Sequence, residues 1–184
     1  MSFFPKTYTT KNNQSITIRQ AVSDDAEELL KLKLEYLKDT ETLPLFENEY
    51  PNDIDQERDM IERFQSENNS VLLLAVSEDA IIGNIDLSGS WRKKMQHTAV
   101  IGMGVHTQWQ NQGIGTLLLQ NVLDWAQENQ ILKTIWLEVY ASNTSGIALY
   151  KKMNFKKSGV IPNFFIEKGM FVDKIIMSRE VFIG

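Results

Sequence analysis

The chain contains no cysteine, which excludes disulfides, thiolate catalysis, an acyl-cysteine intermediate and Cys-ligated zinc or iron–sulfur centres. Histidine is scarce: His97 and His106 are the two present, so an imidazole-based metal site is not expected and no metal is assigned. No apolar run approaches the length of a membrane span, and the amino-terminal MSFFPKTYTTKNNQ lacks the apolar segment of a signal peptide. The expectation is a cytoplasmic protein without a membrane partner. A basic excess is also missing, since 19 Lys and Arg stand against 24 Asp and Glu for a net charge of -5. Nucleic-acid binders usually carry a basic face, and Arg92-Lys93-Lys94 and Lys151-Lys152 are short runs that read as solvated surface. Repeats, low-complexity tracts and linkers are absent too. The 184 residues therefore read as an arm over 1–14 followed by one domain over 15–184.

Periodicity divides that domain into elements. SITIRQ (15–20) alternates apolar and polar residues, as a half-buried strand does. Ser23 followed by Asp24, Asp25, Glu27 and Glu28 reads as a helix start, with Ser23 as the cap and the acids at the positive end of the helix dipole. Leu30, Leu34 and Leu37 carry that helix to about residue 38. The acidic stretch 39–53 holds two of the four prolines and reads as a loop. A second helix spans about 55–66, with Met60, Ile61 and Phe64 inward. SVLLLAV and AIIGNIDLSG flank SEDA as a hairpin, and HTAVIGMGV (97–105) follows as another strand. Its Gly102 and Gly104 suggest a bulge, a close backbone approach or a locally loose strand. Residues 113–129 form the clearest helix, with Ile114, Leu118, Val122 and Trp125 on one stripe. A strand over 133–140, a short helix over 144–153 and a closing strand over 171–179 complete the series. The order predicts a mixed α/β domain with a mostly antiparallel central sheet, one β-α-β crossover and about four flanking helices.

The strand-to-helix turn VHTQWQNQGIGTLLLQ (105–120) raises the question of a phosphate cradle. It is not a P-loop, which needs G-x-x-x-x-G-K-[ST], nor a G-x-G-x-x-G fingerprint, since Leu118 stands at the third position. What remains is Gln110-Asn111-Gln112-Gly113-Ile114-Gly115. Such a turn aims free backbone N–H groups and the positive helix end at one point, which suits a pyrophosphate. A plain connection with permissive glycines accounts for the same letters, and the loop alone leaves both readings open.

A second segment narrows the choice. LEVYASNTSGIALYKKMNF (137–155) has a strand, then Asn143, a short helix through Leu149-Tyr150, and Asn154-Phe155. Together with strand 98–105 and the glycine loop, in this order and over residues 16–179, the chain resembles the GNAT superfamily of acyl-CoA-dependent N-acetyltransferases. The resemblance implies acetyl-CoA as acyl donor, direct transfer to an amine, and two neighbouring parallel strands that splay apart at a bulge in the first. It places the pantetheine arm on Met103, Gly104 and Val105, and the pyrophosphate on Gln110, Asn111, Gln112, Gly113, Ile114, Gly115 and Thr116. It gives Asn143 a contact to the pantetheine chain, beside a capping role open to any Asn there. Tyr150 matches the tyrosine that protonates the departing thiolate, although an inward aromatic on a short helix is the plainer account of the same residue.

Three positions depart from the pattern: Asn154 stands where glycine is usual, Gly146 replaces a common alanine, and the third is Val100. Many members carry a glutamate two residues before the first strand's glycine, where this chain has Val100. His97, Asp86 and Glu138 are substitutes as general base, alongside water. The family's acceptor site is walled by the first two helices and their loop, which here bear Glu35, Glu41, Glu47, Glu49 and Asp53. An acidic wall would draw a small cationic metabolite or a protein amine; a solvated acidic loop explains the same residues. A homodimer stays open. The alternatives are a non-catalytic acyl-CoA-binding module and a nucleotide-binding domain using the same loop.

Overall fold

Strand β3 (Val71–Ser77) is apolar on both sides, because helices cover both faces of the sheet. Val71, Leu73 and Ala75 point to one core, and Leu72 and Leu74 to the other. In the computed structural model, which describes residues 3–78 and 80–181, β1 (Lys6–Thr9), β2 (Ser15–Gln20), β3, β4 (Ala80–Gly89), β5 (Thr98–Val105), β6 (Thr134–Tyr140), β7 (Lys156–Glu167) and β8 (Met170–Glu180) form one eight-stranded sheet in the order β1-β2-β3-β4-β5-β6-β8-β7. All neighbours run antiparallel except β5 and β6. Helices α1 (Ala26–Asp39) and α2 (Ile54–Ser66) cover one face. Helix α3 (Ile114–Glu128) covers the other, with the short α4 (Thr144–Lys152) beside it. The mixed α/β fold with four helices is thus the one expected.

The α3 stripe Ile114, Leu118, Val122 and Trp125 is wholly buried, and each such side chain contributes about 1.5–3 kcal/mol relative to exposure. Four local expectations need correction. Leu34 is half-buried, because the inner stripe of α1 runs through Leu29, Leu32, Lys33, Tyr36 and Leu37. Ser23 does not cap; its hydroxyl donates to Glu62, and Asp25 accepts the Val22 N–H at 2.8 Å while forming two 2.6 Å bonds from Arg19. Lys6–Thr9, inside the stretch read as an arm, pairs with β2 as an edge strand. His97 lies in the exposed turn before β5 rather than on the strand.

The parallel pair positions the site. β5 and β6 are paired only over Thr98–Val100 and Thr134–Trp136 and then part. Beyond them β5 keeps β4 and β6 keeps β8. The separation needs no bulge on the β4 side, where the register runs unbroken from Gly83↔Val105 to Gly89↔Ala99. Gly102 and Gly104 serve close approach instead. A Cβ on Gly102 would stand 2.6 Å from Asp86 Oδ1, and one on Gly104 would stand 2.9 Å from the Tyr36 phenol oxygen and nearer still to its ring.

Candidate active site

The gap between β5 and β6 opens into a cavity of about 920 Å³. Its floor is the free side of β5 (Ile101 to Val105), one wall is the turn into α3, and another is α4 with Leu149 and Tyr150. Across the sheet it continues to Tyr36, to the loop 39–44, and to Trp136 and Glu138 of β6. One space therefore joins the two faces of the sheet through the gap.

The turn into α3 has the geometry of an anion cradle. Gly113 is the residue before the helix and has φ of 95°, a left-handed conformation that only glycine adopts without strain. Asn111 is left-handed as well, at φ 61°, which Asn tolerates better than most residues. Among the described residues no protein acceptor takes the backbone N–H groups of residues 111–116. They converge with the positive end of a 15-residue helix, where an anion gains both hydrogen bonds and the helix dipole. The turn is held from outside: the Gln110 amide donates to Val105 O at 3.2 Å, His106 Nδ1 accepts from the Gln108 N–H at 3.2 Å, and Thr107 Oγ1 donates to Asp39 Oδ2 at 3.1 Å.

Of the residues assigned to the acyl donor, Met103, Gly104, Val105, Gln110, Asn111, Gly113, Ile114, Gly115, Thr116 and Asn143 all line this cavity. The Gln112 side chain does not; its amide donates to Gln108 O at 2.9 Å. Asn143 caps α4, its Oδ1 accepting the Gly146 N–H at 2.8 Å. Its Nδ2 has no acceptor among the described residues, so the cap leaves the amide donor available to the cavity. Tyr150 lines the cavity with its ring edge-on to Phe155, 6.0 Å between centroids. Burial pushes its phenol up to about 12, so the hydroxyl keeps a proton at neutral pH.

The far side of the gap differs from expectation. Of the five acids expected to form a wall, only Glu41 lines the cavity, and it pairs with Lys168. Glu35 pairs with His106 at 3.4 Å, Glu47 with Lys38 at 3.1 Å, Glu49 accepts the Phe46 N–H, and Asp53 caps α2. Among the described residues, the acidic groups that do line it are Asp39, Glu41 and Glu138, and no Lys or Arg does. Glu138 is bonded by Lys174 at 3.0 Å. Val100 faces the same side with no polar group. His97 is remote, its carbonyl tying down Lys133 and Thr134.

Sequence reading missed Tyr36 and Asp39. Tyr36 sits on the inner stripe of α1 against Gly104; burial, then the nearby Asp86 and Glu57 charges, raises its phenol so that it too stays protonated. The signal was present as a tyrosine three residues beyond Lys33 on an inward stripe, facing a strand with two glycines. Behind it, Lys33 pairs with Glu57 at 2.7 Å and donates to the Tyr50 hydroxyl at 2.9 Å, and that hydroxyl donates to Glu57 at 2.9 Å. This buried network ties α1, α2 and the intervening loop together.

The family model described as Acetyltransferase (GNAT) family matches residues 34–155. The L-amino acid N-acetyltransferase AaaT of Escherichia coli K12 is 25% identical over 107 residues, 58% of this chain and 66% of its own length. The alanine N-acetyltransferase of ribosomal protein bS18 from the same strain is 31% identical over 87 residues, 47% of this chain and 58% of its own length. The chain thus spans about three fifths of the length of these relatives. A phosphinothricin acetyltransferase of the GNAT superfamily from Sinorhizobium meliloti, solved in complex with acetyl-CoA, superposes with a TM-score of 0.81 at 19% identity, over 92% of this chain and 90% of the other.

Proposed function

The chain belongs to the acetyltransferase (GNAT) family, and from that premise we propose that it moves an acetyl group from acetyl-CoA directly to a primary amine. The observation that carries the reading is the single cavity: free N–H groups and a helix start on one side of the β5–β6 gap, acidic groups on the other. The N–H groups of 111–116 suit the pyrophosphate, the open backbone of Met103–Val105 suits an amide-bearing arm, and the Asn143 amide stands free to contact that arm. When bound, acetyl-CoA supplies the activated acyl group. Tyr150 holds a proton beside the gap and gives it to the departing sulfur. With no cysteine in the sequence, the acyl group passes to the amine without a thioester on the protein.

The acceptor is a small cationic metabolite or a protein amine. Asp39, which no cation pairs among the described residues, gives its side of the cavity a negative charge that favours an ammonium, while Glu41 and Glu138 already hold Lys168 and Lys174. The two relatives from Escherichia coli act on an amino acid and on a protein's alanine, both of which present a charged amino group at neutral pH. The test is thiol release from acetyl-CoA in the presence of L-amino acids, spermidine and an alanine-initiated peptide. Release that depends on one of these amines supports the reading; acetyl-CoA binding with no release in any of them counts against it.

A further inference from the structure

The amine must lose a proton before it can attack, and the position two residues before Gly102 offers only Val100. Asp86 supplies a carboxylate from the neighbouring strand. It is the register partner of Gly102 across β4–β5, and its side chain leans over that glycine so that Oδ1 stands 2.6 Å from where a Cβ would be. Gly102 itself lines the cavity and Asp86 does not, so the carboxylate meets that space only across Gly102. Any other residue at 102 would put carbon between the carboxylate and the space above the strand.

The two oxygens of Asp86 are not alike. Oδ2 accepts the Ser88 hydroxyl at 3.1 Å, and no other side chain bonds the carboxylate among the described residues. A carboxylate set this deep usually carries a bonded cation. The nearest cations are committed elsewhere: Lys33 to Glu57 and Tyr50, and Arg63 toward Glu67. The groups facing Asp86 are Lys33 and Tyr36 of α1, Tyr50 of the loop, Glu57 and Arg63 of α2, and Asn84 and Ser88 of its own strand. Gly102 of β5 and Leu72 of β3, its register partners, bring no charge.

We propose that Asp86 is the catalytic base, its Oδ1 taking a proton from the incoming ammonium across the opening that Gly102 leaves. This rests on the transferase reading above. Asp86 accepts one proton from the ammonium, and the freed nitrogen lone pair forms the C–N bond to the acyl carbon. The C–S bond breaks, and the sulfur takes the proton of Tyr150. The second proton lost by the nitrogen returns through water to the Tyr150 phenolate, and Asp86 passes its proton to solvent. The sum is ammonium plus thioester giving amide, thiol and one proton. Burial raises the Asp86 carboxyl to about 6, against weaker pulls downward from Lys33 and Ser88. A base in that range is ionised at neutral pH yet strong enough to accept a proton.

The experiment compares wild type, Asp86→Asn and Asp86→Glu by thiol release from acetyl-CoA with L-amino acids, spermidine and an alanine-initiated peptide, from pH 5 to 9, with calorimetric acetyl-CoA binding alongside. Asp86→Asn should lower turnover about a hundredfold or more, keep acetyl-CoA affinity within about twofold, and lose the rise of rate near pH 6; Asp86→Glu should recover part of the activity. The carboxyl carbon of Asp86, followed by NMR and assigned through Asp86→Asn, should titrate near pH 6. Undiminished turnover in Asp86→Asn, or titration near the ordinary carboxylate value, overturns the base and leaves the transferase standing. Wild-type protein that binds acetyl-CoA and releases no thiol with any probe overturns both.

Discussion

Replacing Gly104 by alanine tests the packing that shapes the cavity. Gly104 has an ordinary extended backbone, since it is not among the positive-φ glycines, so alanine fits the chain and by itself would stabilise the strand by about 0.5–1 kcal/mol. The new methyl, however, would stand 2.9 Å from the Tyr36 phenol oxygen and closer to two ring carbons. Tyr36 is 9% exposed and packed among the α1 and α2 side chains, so the ring cannot swing away freely. Overpacking of this kind costs about 1–3 kcal/mol, leaving a net loss of about 1–2 kcal/mol, or a fall in melting temperature of roughly 3–6 °C for a chain of this size. The assay is thermal unfolding of Gly104→Ala, Tyr36→Ala and the double variant. Tyr36→Ala alone should cost about 3 kcal/mol or more, and in that background Gly104→Ala should become neutral or stabilising. An equal penalty in both backgrounds would refute the claim that Tyr36 fills the hollow over Gly104.

Three further outcomes are expected. Tyr150→Phe should lower turnover by about a hundredfold with acetyl-CoA affinity nearly unchanged in calorimetry; full activity would remove Tyr150 as the proton donor. Gly113→Ala meets no neighbour but forces alanine to φ 95°, so unfolding should show a loss of about 1 kcal/mol or more, and acetyl-CoA binding should weaken as the turn relaxes. Because Asp86 has its folded carboxyl raised to about 6, its folding contribution is most favourable below the unfolded value and is lost as pH rises through 6. Asp86→Asn should therefore match the wild type near pH 4 and exceed it at pH 8 by about 2 kcal/mol, read as the difference in unfolding free energy; a variant less stable than wild type at pH 8 would contradict this.

The sequence made the fold legible where one interaction dominates. Ile114, Leu118, Val122 and Trp125 share one stripe because α3 covers a single continuous core, and the strand-turn-helix around Gly113 follows from local backbone preference. The site was legible where it is backbone: the glycine turn, Asn143 and the free side of β5 need no long-range partner to be recognised. It was hidden where it depends on register. That Asp86 stands opposite Gly102, and Tyr36 opposite Gly104, follows from the β4–β5 pairing and the seating of α1, neither of which local spacing encodes. The glycines therefore pointed to a bulge when their use is to admit two side chains. Charges misled for a related reason: Glu47, Glu49 and Asp53 are near the cavity in sequence but each is taken up by a nearby partner, and Glu35 lies against His106 outside the cavity lining, whereas Asp39, unremarked in the sequence, lines the cavity and anchors Thr107.

The most direct measurement is mass spectrometry of the amine panel after incubation with the protein and isotopically labelled acetyl-CoA. Labelled acetyl is expected on the nitrogen of at least one amine, with stoichiometric free CoA and no label on the protein. Labelled acetyl retained on a side chain of the protein, or acetyl-CoA recovered intact with every amine, would contradict it.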